Sequence, residues 1–290
     1  MLQNNDNFAI PVFIVHWNRP SECICTVTRF LENALPLKIS IVDNSSTIDN
    51  FQLLKEQLPP SVVLIRLEEN KGWGGGLNLL LNQWLAEQTS PYCFVSAHDA
   101  LPQGDCLKML VECMEFDERI GIASPEYGSS ELPKYNPVKG PYMVPIPPRI
   151  SGTVESVDFA HATLMIFRRK CIEEIGVFDE RYFAYGDEYD ISLKARRCNW
   201  KAAVIWGAVV VNPGSWTPKP KLSYLFARNT LLLALTYGGI AHAFMRATFM
   251  ILNTLRIVLN PFTQKTNFHP IARILGIRDF LLGRYGHPPL

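Results

Sequence analysis

Short apolar runs alternate with amphipathic segments over the first hundred residues of the chain. Such runs predict buried strands, and segments whose apolar residues recur every three or four positions predict helices. The predicted strands cover residues 9–15, 39–42, 62–67 and 93–97, and the predicted helices cover residues 21–35, 49–57 and 77–87. This alternation indicates an α/β fold with a mostly parallel, Rossmann-like central sheet flanked by helices, in which ligands bind at the carboxyl ends of the strands.

Polar residues mark the ends of these predicted elements. Ser21 is expected to cap the first helix, and the glycine-rich residues 72–76 are expected to form the turn before the third helix. Asp43 ends the second strand and Asp99 follows the fourth. Because the carboxyl ends of parallel strands meet at one edge of a sheet, both carboxylates are expected at the same rim.

The second half of the chain is less regular. Six prolines between Pro133 and Pro148 exclude a helix or a central strand there and predict an extended loop. Strand and helix patterns resume afterwards, at residues 157–168, 169–175, 191–197 and 202–211. After Pro218 the chain becomes basic and apolar, so we divide it into a body at residues 1–218 and a helical extension at residues 219–290.

Composition supports a folded body and gives the extension a different character. The 290 residues are 48% hydrophobic and 19% charged, typical of a globular protein. The formal net charge is only +1, yet residues 216–290 hold nine lysines and arginines against one acid, Asp279. In that region single charges are separated by apolar runs, a pattern that favours a lipid surface over a nucleic acid.

The extension has an apolar stretch from Thr230 to Met245, 16 residues long and interrupted by glycines. A membrane-spanning helix needs about 20 apolar residues, so helices lying on the membrane fit better. Their arginines would face anionic headgroups; they are Arg246, Arg256, Arg273, Arg278 and Arg284. The competing interpretation is that the apolar face packs against the body or against a second subunit in a homodimer.

Cysteine usage and the amino terminus bear on the compartment. The seven cysteines include no CxxC pair, which indicates neither a disulfide framework nor a zinc ribbon and favours a reducing compartment. Residues 1–6 lack the basic start of a signal peptide. The expectation is a cytoplasmic protein, peripheral on the inner face of the plasma membrane if the extension binds lipid.

The glycine run at residues 72–76 follows a strand and precedes a helix, as in dinucleotide-binding proteins. Its spacing does not fit: a G-x-G-x-x-G pattern would need glycine at position 77 or 79, and both are leucine. No Walker A motif occurs. A nicotinamide or flavin site is therefore not predicted.

Three carboxylates, Asp187, Glu188 and Asp190, lie within four residues before a predicted helix. They could simply favour the helix macrodipole. Alternatively, neighbouring aromatic side chains such as Tyr185 and Tyr189 would partly desolvate a carboxylate and raise its pKa, which suits a general base. Asp43 and Asp99 likewise could be turn residues only. The histidines at 16, 98 and 161 are interpreted as structural, and Trp17 and Trp73 as core residues.

The order of motifs resembles the inverting glycosyltransferases of family 2, especially bacterial rhamnosyltransferase-like members. The matching pieces span residues 9–230; they are Val12-Phe13-Ile14-Val15-His16-Trp17-Asn18-Arg19, Val42-Asp43-Asn44-Ser45-Ser46, Asn70-Lys71-Gly72-Trp73-Gly74-Gly75-Gly76-Leu77-Asn78, residues 160–169 with 176–183, Tyr185-Gly186-Asp187-Glu188-Tyr189-Asp190, and Arg228-Asn229. The resemblance implies the GT-A fold and transfer of a sugar from a nucleoside diphosphate donor to a hydroxyl of a glycan, lipid-linked, in bacterial surface polysaccharide synthesis.

The resemblance also implies roles for individual residues. Glu188 aligns with the family's general base, with Asp187 in reserve. The donor nucleotide would be bound by Asp43, Asn18, Arg19, Asn70, Gly72 and Asp99. Asp190 and Arg228 would lie toward the acceptor or the diphosphate.

A divalent ion, Mg²⁺ or Mn²⁺, is implied beside the donor diphosphate, with Asp99 as its ligand. The usual aspartate motif is reduced here to Ala97-His98-Asp99-Ala100, and Asn212 stands where many relatives have histidine. Either Asp99 and the diphosphate hold the ion, or basic groups such as Arg228 share the neutralisation. The reduced motif also supports an alternative function, a partner subunit that binds nucleotide sugar or glycan without turnover; a nucleotidylyltransferase is a weaker third reading.

Overall fold

The structure is a computed structural model that describes residues 8–214, 217–260 and 268–290. The signal-peptide interpretation of residues 1–6 therefore lies outside the described residues. An eight-stranded sheet forms the centre, in the order β3-β2-β1-β4-β10-β6-β11-β9, with two separate two-stranded sheets, β12-β5 and β7-β8. The strands are β1 Ile10–His16, β2 Leu37–Asp43, β3 Val63–Arg66, β4 Tyr92–Ala97, β5 Leu101–Gln103, β6 Ile120–Pro125, β7 Glu131–Asn136, β8 Gly140–Pro145, β9 Val154–Val157, β10 Leu164–Arg168, β11 Lys201–Ile205 and β12 Val209–Val211.

Helices cover both faces of the central sheet. Val12 and Ile14 of β1 face one layer, and Phe13 and Val15 face the other, which explains why this strand is an unbroken apolar run. The helices are α1 Pro20–Leu31, α2 Ile48–Gln57, α3 Gly72–Glu87, α4 Cys106–Phe116, α5 Arg169–Ile175, α6 Asp187–Arg197, α7 Lys219–Gly238, α8 Ile240–Leu259 and α9 Pro270–Leu281.

The first half of the sheet is the predicted parallel unit. Strands β3, β2, β1 and β4 run parallel, so the four strands predicted there are confirmed. Beyond β4, strand β10 pairs antiparallel with both β4 and β6, and β11 returns to a parallel pairing with β6. The carboxyl ends of β1, β2 and β4 therefore share one edge of the sheet, as expected.

Several local predictions were wrong. Helix α1 begins at Pro20 with Arg19 as its N-cap, so Ser21 lies inside the helix. The glycine run forms the first turn of α3, not a turn before it. The predicted strand at 202–211 is two strands separated by a turn at Gly207, and residues 101–125 carry β5, α4 and β6, to which the sequence assigned no element.

The proline-rich stretch at 133–148 is not an extended loop. It forms the β7-β8 hairpin, in which Glu131 pairs with Pro145 and Tyr135 pairs with Pro141. Proline is tolerated because a two-stranded sheet leaves one edge of each strand unpaired. The exclusion of a helix and of a central strand is correct.

The extension forms helices α7, α8 and α9. Helix α7 is buried along most of its length, from Ser223 to Ala234, and packs against α9 and the body. Helix α8 instead exposes one apolar face, defined by Phe244, Met245, Phe249, Leu252, Leu255 and Leu259, whose side chains are 45–84% exposed. Among the described residues, no helix combines the length and the apolar composition that crossing a bilayer requires.

Candidate active site

A cleft of about 1160 Å³ opens at the carboxyl edge of the sheet. Its walls come from loops after β1, β3 and β4, from the segment before α6, and from the start of α7. The predicted site residues that line it are Asn18, Arg19, Asn70, Gly72, Asp99, Asp187 and Glu188. Residues separated by 170 positions thus meet in one cavity, as the motif order implied.

Residues 17–19, 44–46 and 70–72 form one side of the cleft, here called the nucleotide rim. Asn18 joins its loops: its Oδ1 accepts hydrogen bonds from Thr47 N at 2.8 Å and from Asn50 Nδ2 at 3.2 Å, and its own N–H donates to Ser46 Oγ. Asn18 adopts a φ of 54°, a left-handed conformation that asparagine tolerates better than most residues. The rim is therefore tied together before any ligand arrives.

Asp43 lies behind this rim and does not line the cleft. It is fully buried, with Oδ1 2.9 Å from His16 Nδ1 and Oδ2 accepting from Ser46 N. Burial alone would raise the pKa of Asp43, but the hydrogen bonds with His16 and Ser46 outweigh it and hold the pKa below its usual value. His16 Nε2 in turn accepts from Arg19 N at 3.1 Å, so Asp43 reaches the rim through His16.

The glycine run brings the backbone of the rim against the opposite side of the cleft. Asn44 Nδ2 donates to Gly72 O at 2.8 Å, and Trp73 N donates to Phe183 O at 2.6 Å. Gly72 has a φ of 79°, and a Cβ placed there would lie 2.0 Å from Phe183 O. Only glycine fits at position 72.

Residues 181–186 form the other side of the cleft, here called the acceptor loop. Phe183 and Tyr185 have φ of 67° and 62°, unfavourable conformations for bulky residues. Asn229 of α7 compensates, because its Nδ2 donates to the carbonyls of Tyr182 at 2.9 Å, Ala184 at 2.7 Å and Tyr185 at 3.1 Å. The extension thus holds the loop that precedes the carboxylates.

Asp187 and Glu188 occupy the first turn of α6 and form a buried carboxyl pair. Asp187 Oδ2 accepts from Gly74 N at 3.0 Å, and Glu188 Oε2 accepts from Gly186 N at 2.9 Å. Burial raises the pKa of Asp187. The pKa of Glu188 is raised well above its usual value. Burial is the largest cause, and the Asp187 charge and a hydrogen bond between the two carboxyls add to it. A carboxyl pair of this kind titrates as a coupled unit that holds a proton more tightly than an exposed carboxyl does.

Asp190 and Arg228 do not line the cleft. Asp190 is buried, with Oδ1 2.8 Å from Tyr237 Oη and Oδ2 3.0 Å from Lys194 Nζ. Arg228 is buried too, and its guanidinium donates to the carbonyls of Tyr182 and Gly286. Both side chains are occupied by structural contacts that fix α6 and the acceptor loop, and neither can reach a substrate from there.

Asp99 is the carboxylate at the end of β4, and it faces the cleft beside Asn212. Asn212 Nδ2 donates to Asp99 Oδ1 at 2.9 Å, so this asparagine orients the aspartate. In the described ranges, no three His, Cys, Asp or Glu side chains are grouped closely enough to hold a metal ion. A protein commonly binds Mg²⁺ through one or two carboxylates plus substrate phosphates, and Asp99 suits only that mode.

Aromatic residues and histidines complete the lining. Burial lowers the pKa of His161 to about 4 and keeps it neutral; its Nδ1 accepts from Thr163 N. Trp17 was predicted in the core, but it is 45% exposed and lines the cleft. Sequence reasoning also missed Lys221 and Glu126, which line the cleft but belong to no motif.

The family described as Glycosyl transferase family 2 has a sequence model that matches residues 11–176, more than half of the chain. That match ends before the acceptor loop and the carboxyl pair. None of the curated proteins matches the sequence.

Three solved structures share the fold at low identity. GalNAc-T7 with UDP, GalNAc and Mn²⁺ aligns with 78% of this chain at 14% identity and a TM-score of 0.57, and the chain spans 48% of that protein. The mannosyltransferase PcManGT from Pyrobaculum calidifontis, in complex with GDP-Man and Mn²⁺, gives 16% identity over 96% of this chain and 88% of its own, with a TM-score of 0.56. TarS from S. aureus in complex with UDP-GlcNAc gives 16% identity over 94% and 80%, with a TM-score of 0.55. At these identities the likeness shows a shared fold.

Proposed function

The chain belongs to glycosyl transferase family 2, and from this premise we propose that it is an inverting glycosyltransferase that moves a sugar from a nucleoside diphosphate donor to a hydroxyl of a glycan. One observation carries the proposal: the nucleotide rim and the buried carboxyl pair line the same cleft. The related folds solved with UDP, GDP-Man and UDP-GlcNAc support a sugar nucleotide as the donor.

Glu188 is the proposed general base. Both carboxylates line the cleft, but Glu188 is 9% exposed and Asp187 only 2%, so Glu188 is the more accessible to an acceptor hydroxyl. The ionised carboxylate of Glu188 takes the proton of the acceptor hydroxyl while that oxygen bonds to the anomeric carbon. The bond from that carbon to the diphosphate oxygen breaks on the opposite face, so the anomeric centre inverts.

Asp187 sets the proton affinity of the base. Its negative charge raises the pKa of Glu188 beyond what burial does alone. A base whose pKa lies closer to the working pH accepts a proton more effectively in the transition state, and a positioned base contributes roughly 10²–10⁴-fold in rate. The helical placement of both groups keeps them on one turn of α6.

The nucleotide rim binds the donor nucleoside in this proposal. Asn18, Arg19, Asn70 and Gly72 line the cleft on that side. Asp43 acts indirectly, because its hydrogen bond with His16 orients the ring nitrogen that receives Arg19 N–H. Asp43 is thus a positioning residue and not a direct ligand of the nucleotide.

Asp99 is the protein group that would hold a divalent ion together with the donor diphosphate. When bound, such an ion neutralises charge that develops on the leaving diphosphate. The solved structures of GalNAc-T7 and PcManGT contain Mn²⁺, which supports a divalent ion as the cofactor. Asn212 keeps the Asp99 carboxylate oriented toward the cleft.

A lipid-linked acceptor presented at an anionic membrane fits the exposed face of α8. That face is apolar from Phe244 to Leu259, and Arg256, Arg278 and Arg284 of the extension are exposed. Arg246, which was also predicted to face headgroups, is buried and donates to Val138 O. The single acid of the described extension, Asp279, is buried against Tyr224 and Arg278, so it does not oppose an anionic surface. Apolar faces flanked by basic groups bind at the lipid interface.

A second function, a partner subunit that binds nucleotide sugar without turnover, is favoured by one observation. Asp99 stands alone at the aspartate motif, and the described residues hold no multi-ligand metal group. The carboxyl pair argues for the enzyme, since a binding protein has no use for two adjacent buried acids, whose burial costs stability.

One experiment separates the two. The full chain is incubated with UDP-, GDP- and dTDP-sugars plus Mg²⁺ or Mn²⁺, while thermal stability and sugar release are followed. The proposal expects one nucleotide class to raise the Tm and to be slowly hydrolysed, with NMR showing the inverted anomer as the first product. Stabilisation without release under every condition would favour the binding subunit, and no response to any donor would contradict both.

Membrane binding is tested by sedimentation with phosphatidylglycerol vesicles. Leu252→Glu, on the exposed face of α8, should reduce the bound fraction, since it places a charge where an acyl chain would lie. Phe116→Glu is the matched control, because Phe116 is 87% exposed at the end of α4 in the body. Equal binding of Leu252→Glu and wild type would exclude a lipid surface, and concentration-dependent dimers lost only in Leu252→Glu would show a second subunit instead.

A further inference from the structure

The proposed function places a diphosphate in a cleft that offers little to neutralise it. The leaving nucleoside diphosphate gains negative charge as the sugar departs, and groups aimed at that charge usually contribute strongly to the rate. Asp99 is the proposed metal ligand, and the described residues contain no group of three His, Cys, Asp or Glu side chains that could hold a metal ion. A fixed positive charge from the protein would meet this requirement.

Two cationic side chains line the cleft among the described residues, Arg19 and Lys221. The positive charge of Arg19 is partly neutralised by Glu22, because Arg19 Nη1 lies 3.4 Å from Glu22 Oε1. Arg228, the basic group named from the sequence, donates to backbone carbonyls and does not line the cleft. These contacts leave Lys221 as the cation best placed for a ligand.

Lys221 is held by aromatic rings and not by carboxylates. Its Nζ lies 5.7 Å from the centre of the Trp17 ring and 5.5 Å from that of Phe183, one ring from each side of the cleft. Within the described ranges no hydrogen bond or ion pair engages its ammonium. Burial alone lowers its pKa, with no acid opposing the shift.

Such surroundings position a cation without neutralising it. Aromatic faces attract an ammonium by their quadrupole but leave its three N–H donors free for an anion. Trp17 precedes Asn18 of the nucleotide rim, and Phe183 lies four residues before Asp187. Lys221 therefore stands between the region assigned to the nucleoside and the region assigned to the reacting hydroxyl.

We propose that Lys221 binds the diphosphate of the donor and stabilises it as the leaving group. The inference rests on the proposed function and adds a phosphate-binding residue that lies on the extension and in no recognised motif. It also fits the reduced aspartate motif, because a fixed ammonium takes over part of the neutralisation of the diphosphate that a more firmly held metal ion would supply. Lys221 would thus make the enzyme less dependent on the divalent ion.

Nucleotide binding by calorimetry tests the inference without an acceptor. The probes are UDP, GDP and dTDP, each compared with its own nucleoside, on wild type, Lys221→Met, Lys221→Arg and Lys219→Met. Lys219 is the matched control, since it is an exposed lysine on the same helical turn that does not line the cleft. Thermal unfolding of each variant confirms that it folds.

The expected result is a loss of diphosphate affinity only. Lys221→Met should weaken binding of the preferred nucleoside diphosphate about 10- to 100-fold, the range for hydrogen bonds to charged groups, while nucleoside binding stays at the wild-type level. Lys221→Arg should recover most of the affinity because it keeps the charge, and Lys219→Met should match wild type. Lys221→Met should also need more Mg²⁺ for the same affinity.

The outcomes separate the inference from the function on which it rests. If wild type binds none of the three diphosphates, the proposed function fails. If wild type prefers a diphosphate over its nucleoside and Lys221→Met keeps that preference, the function stands and the inference is overturned. Equal losses for diphosphate and nucleoside in Lys221→Met would show a role in shaping the cleft, which also overturns it.

Discussion

The nucleotide rim and the acceptor loop meet at Gly72, yet they are held by different means. The rim is fixed by contacts among the loops that follow β1, β2 and β3, such as those of Asn18 with Thr47 and of Asn44 with Gly72. The acceptor loop has strained backbone at Phe183 and Tyr185, and it is fixed by Asn229, more than 40 residues later.

The two sides of the cleft therefore depend on different parts of the chain. A rim built from strand ends follows from the α/β scaffold, in which ligands bind at the carboxyl ends of the strands. A strained loop persists only when its surroundings determine it. The carboxyl pair follows directly after that loop, so helix α7 of the extension contributes to the geometry of the proposed chemistry.

Disrupting the contact between the nucleotide rim and the acceptor loop should have the largest effect on stability. Gly72→Ala places a Cβ 2.0 Å from Phe183 O and forces a φ of 79° on alanine. We expect the free energy of unfolding to fall by about 3 kcal/mol or more, because the clash is with backbone and adds to the conformational strain. Denaturant unfolding measures it.

Gly152→Ala is the control for that prediction. Gly152 has a φ of 83°, but a Cβ there would meet nothing within 4 Å. The cost should be roughly 1–2 kcal/mol, from backbone strain alone. Similar losses in the two variants would show that contact between the rim and the acceptor loop is not the cause.

Releasing the acceptor loop alone should have a smaller effect on stability and a selective one on function. Asn229→Ala leaves the carbonyls of Tyr182, Ala184 and Tyr185 without their shared donor, at a cost of about 2 kcal/mol in the free energy of unfolding. We expect kcat to fall by roughly 100-fold, the scale for a displaced reacting group, with nucleotide affinity retained. Steady-state kinetics and calorimetry check both.

Asn253→Ala, on α8 and half-buried, is the matched asparagine control and should leave kcat unchanged. If Asn229→Ala weakens nucleotide binding as much as it lowers kcat, the claim that the rim and the acceptor loop are fixed independently is wrong. In that case the rim and the loop would behave as one unit.

The smallest effect is expected from changing the charge within the carboxyl pair. The pKa of Glu188 is raised, so the base is protonated and inactive at pH values where an exposed glutamate is ionised; kcat/KM should therefore fall as the pH decreases through that raised pKa. Asp187→Asn removes the negative charge, which lowers the pKa of Glu188 and moves this fall to lower pH. A pH profile of kcat/KM measures the shift.

Asp190→Asn makes the same change of charge on the same helical turn. Asp190 contacts Tyr237 and Lys194 outside the cleft. The pH at which kcat/KM falls, here called the acid limb of the profile, should therefore not move in Asp190→Asn. An acid limb that is unmoved in Asp187→Asn, or that moves to higher pH, would contradict the coupling of the two carboxyls.

The sequence predicted the parallel half of the sheet because its strands are buried on both faces and read as apolar runs. The order of motifs also predicted that Asn18, Asn70 and Glu188 belong to one site, and all three line the same cleft. The placement of Asp43 could not be read in this way, since an aspartate at a strand end looks the same whether it faces a ligand or a buried histidine. The structure shows that it faces His16.

The extension was the hardest region to interpret from sequence. Its basic, apolar composition predicts a membrane surface, but composition does not tell which face of a helix is covered. Leu231 and Leu233 of α7 are fully buried, whereas Leu252 of α8 is exposed. Lys221 was missed for a related reason: its role depends on Trp17 and Phe183, which only the tertiary fold brings beside it.

The central claim is that Glu188 accepts the proton of the acceptor hydroxyl in a cleft that binds the donor independently. The most direct test is the rate of sugar transfer by Glu188→Gln at saturating donor, with nucleotide affinity measured on the same preparation. The account predicts a rate roughly 10²–10⁴-fold below wild type with unchanged nucleotide affinity. Transfer at the wild-type rate by Glu188→Gln would contradict it.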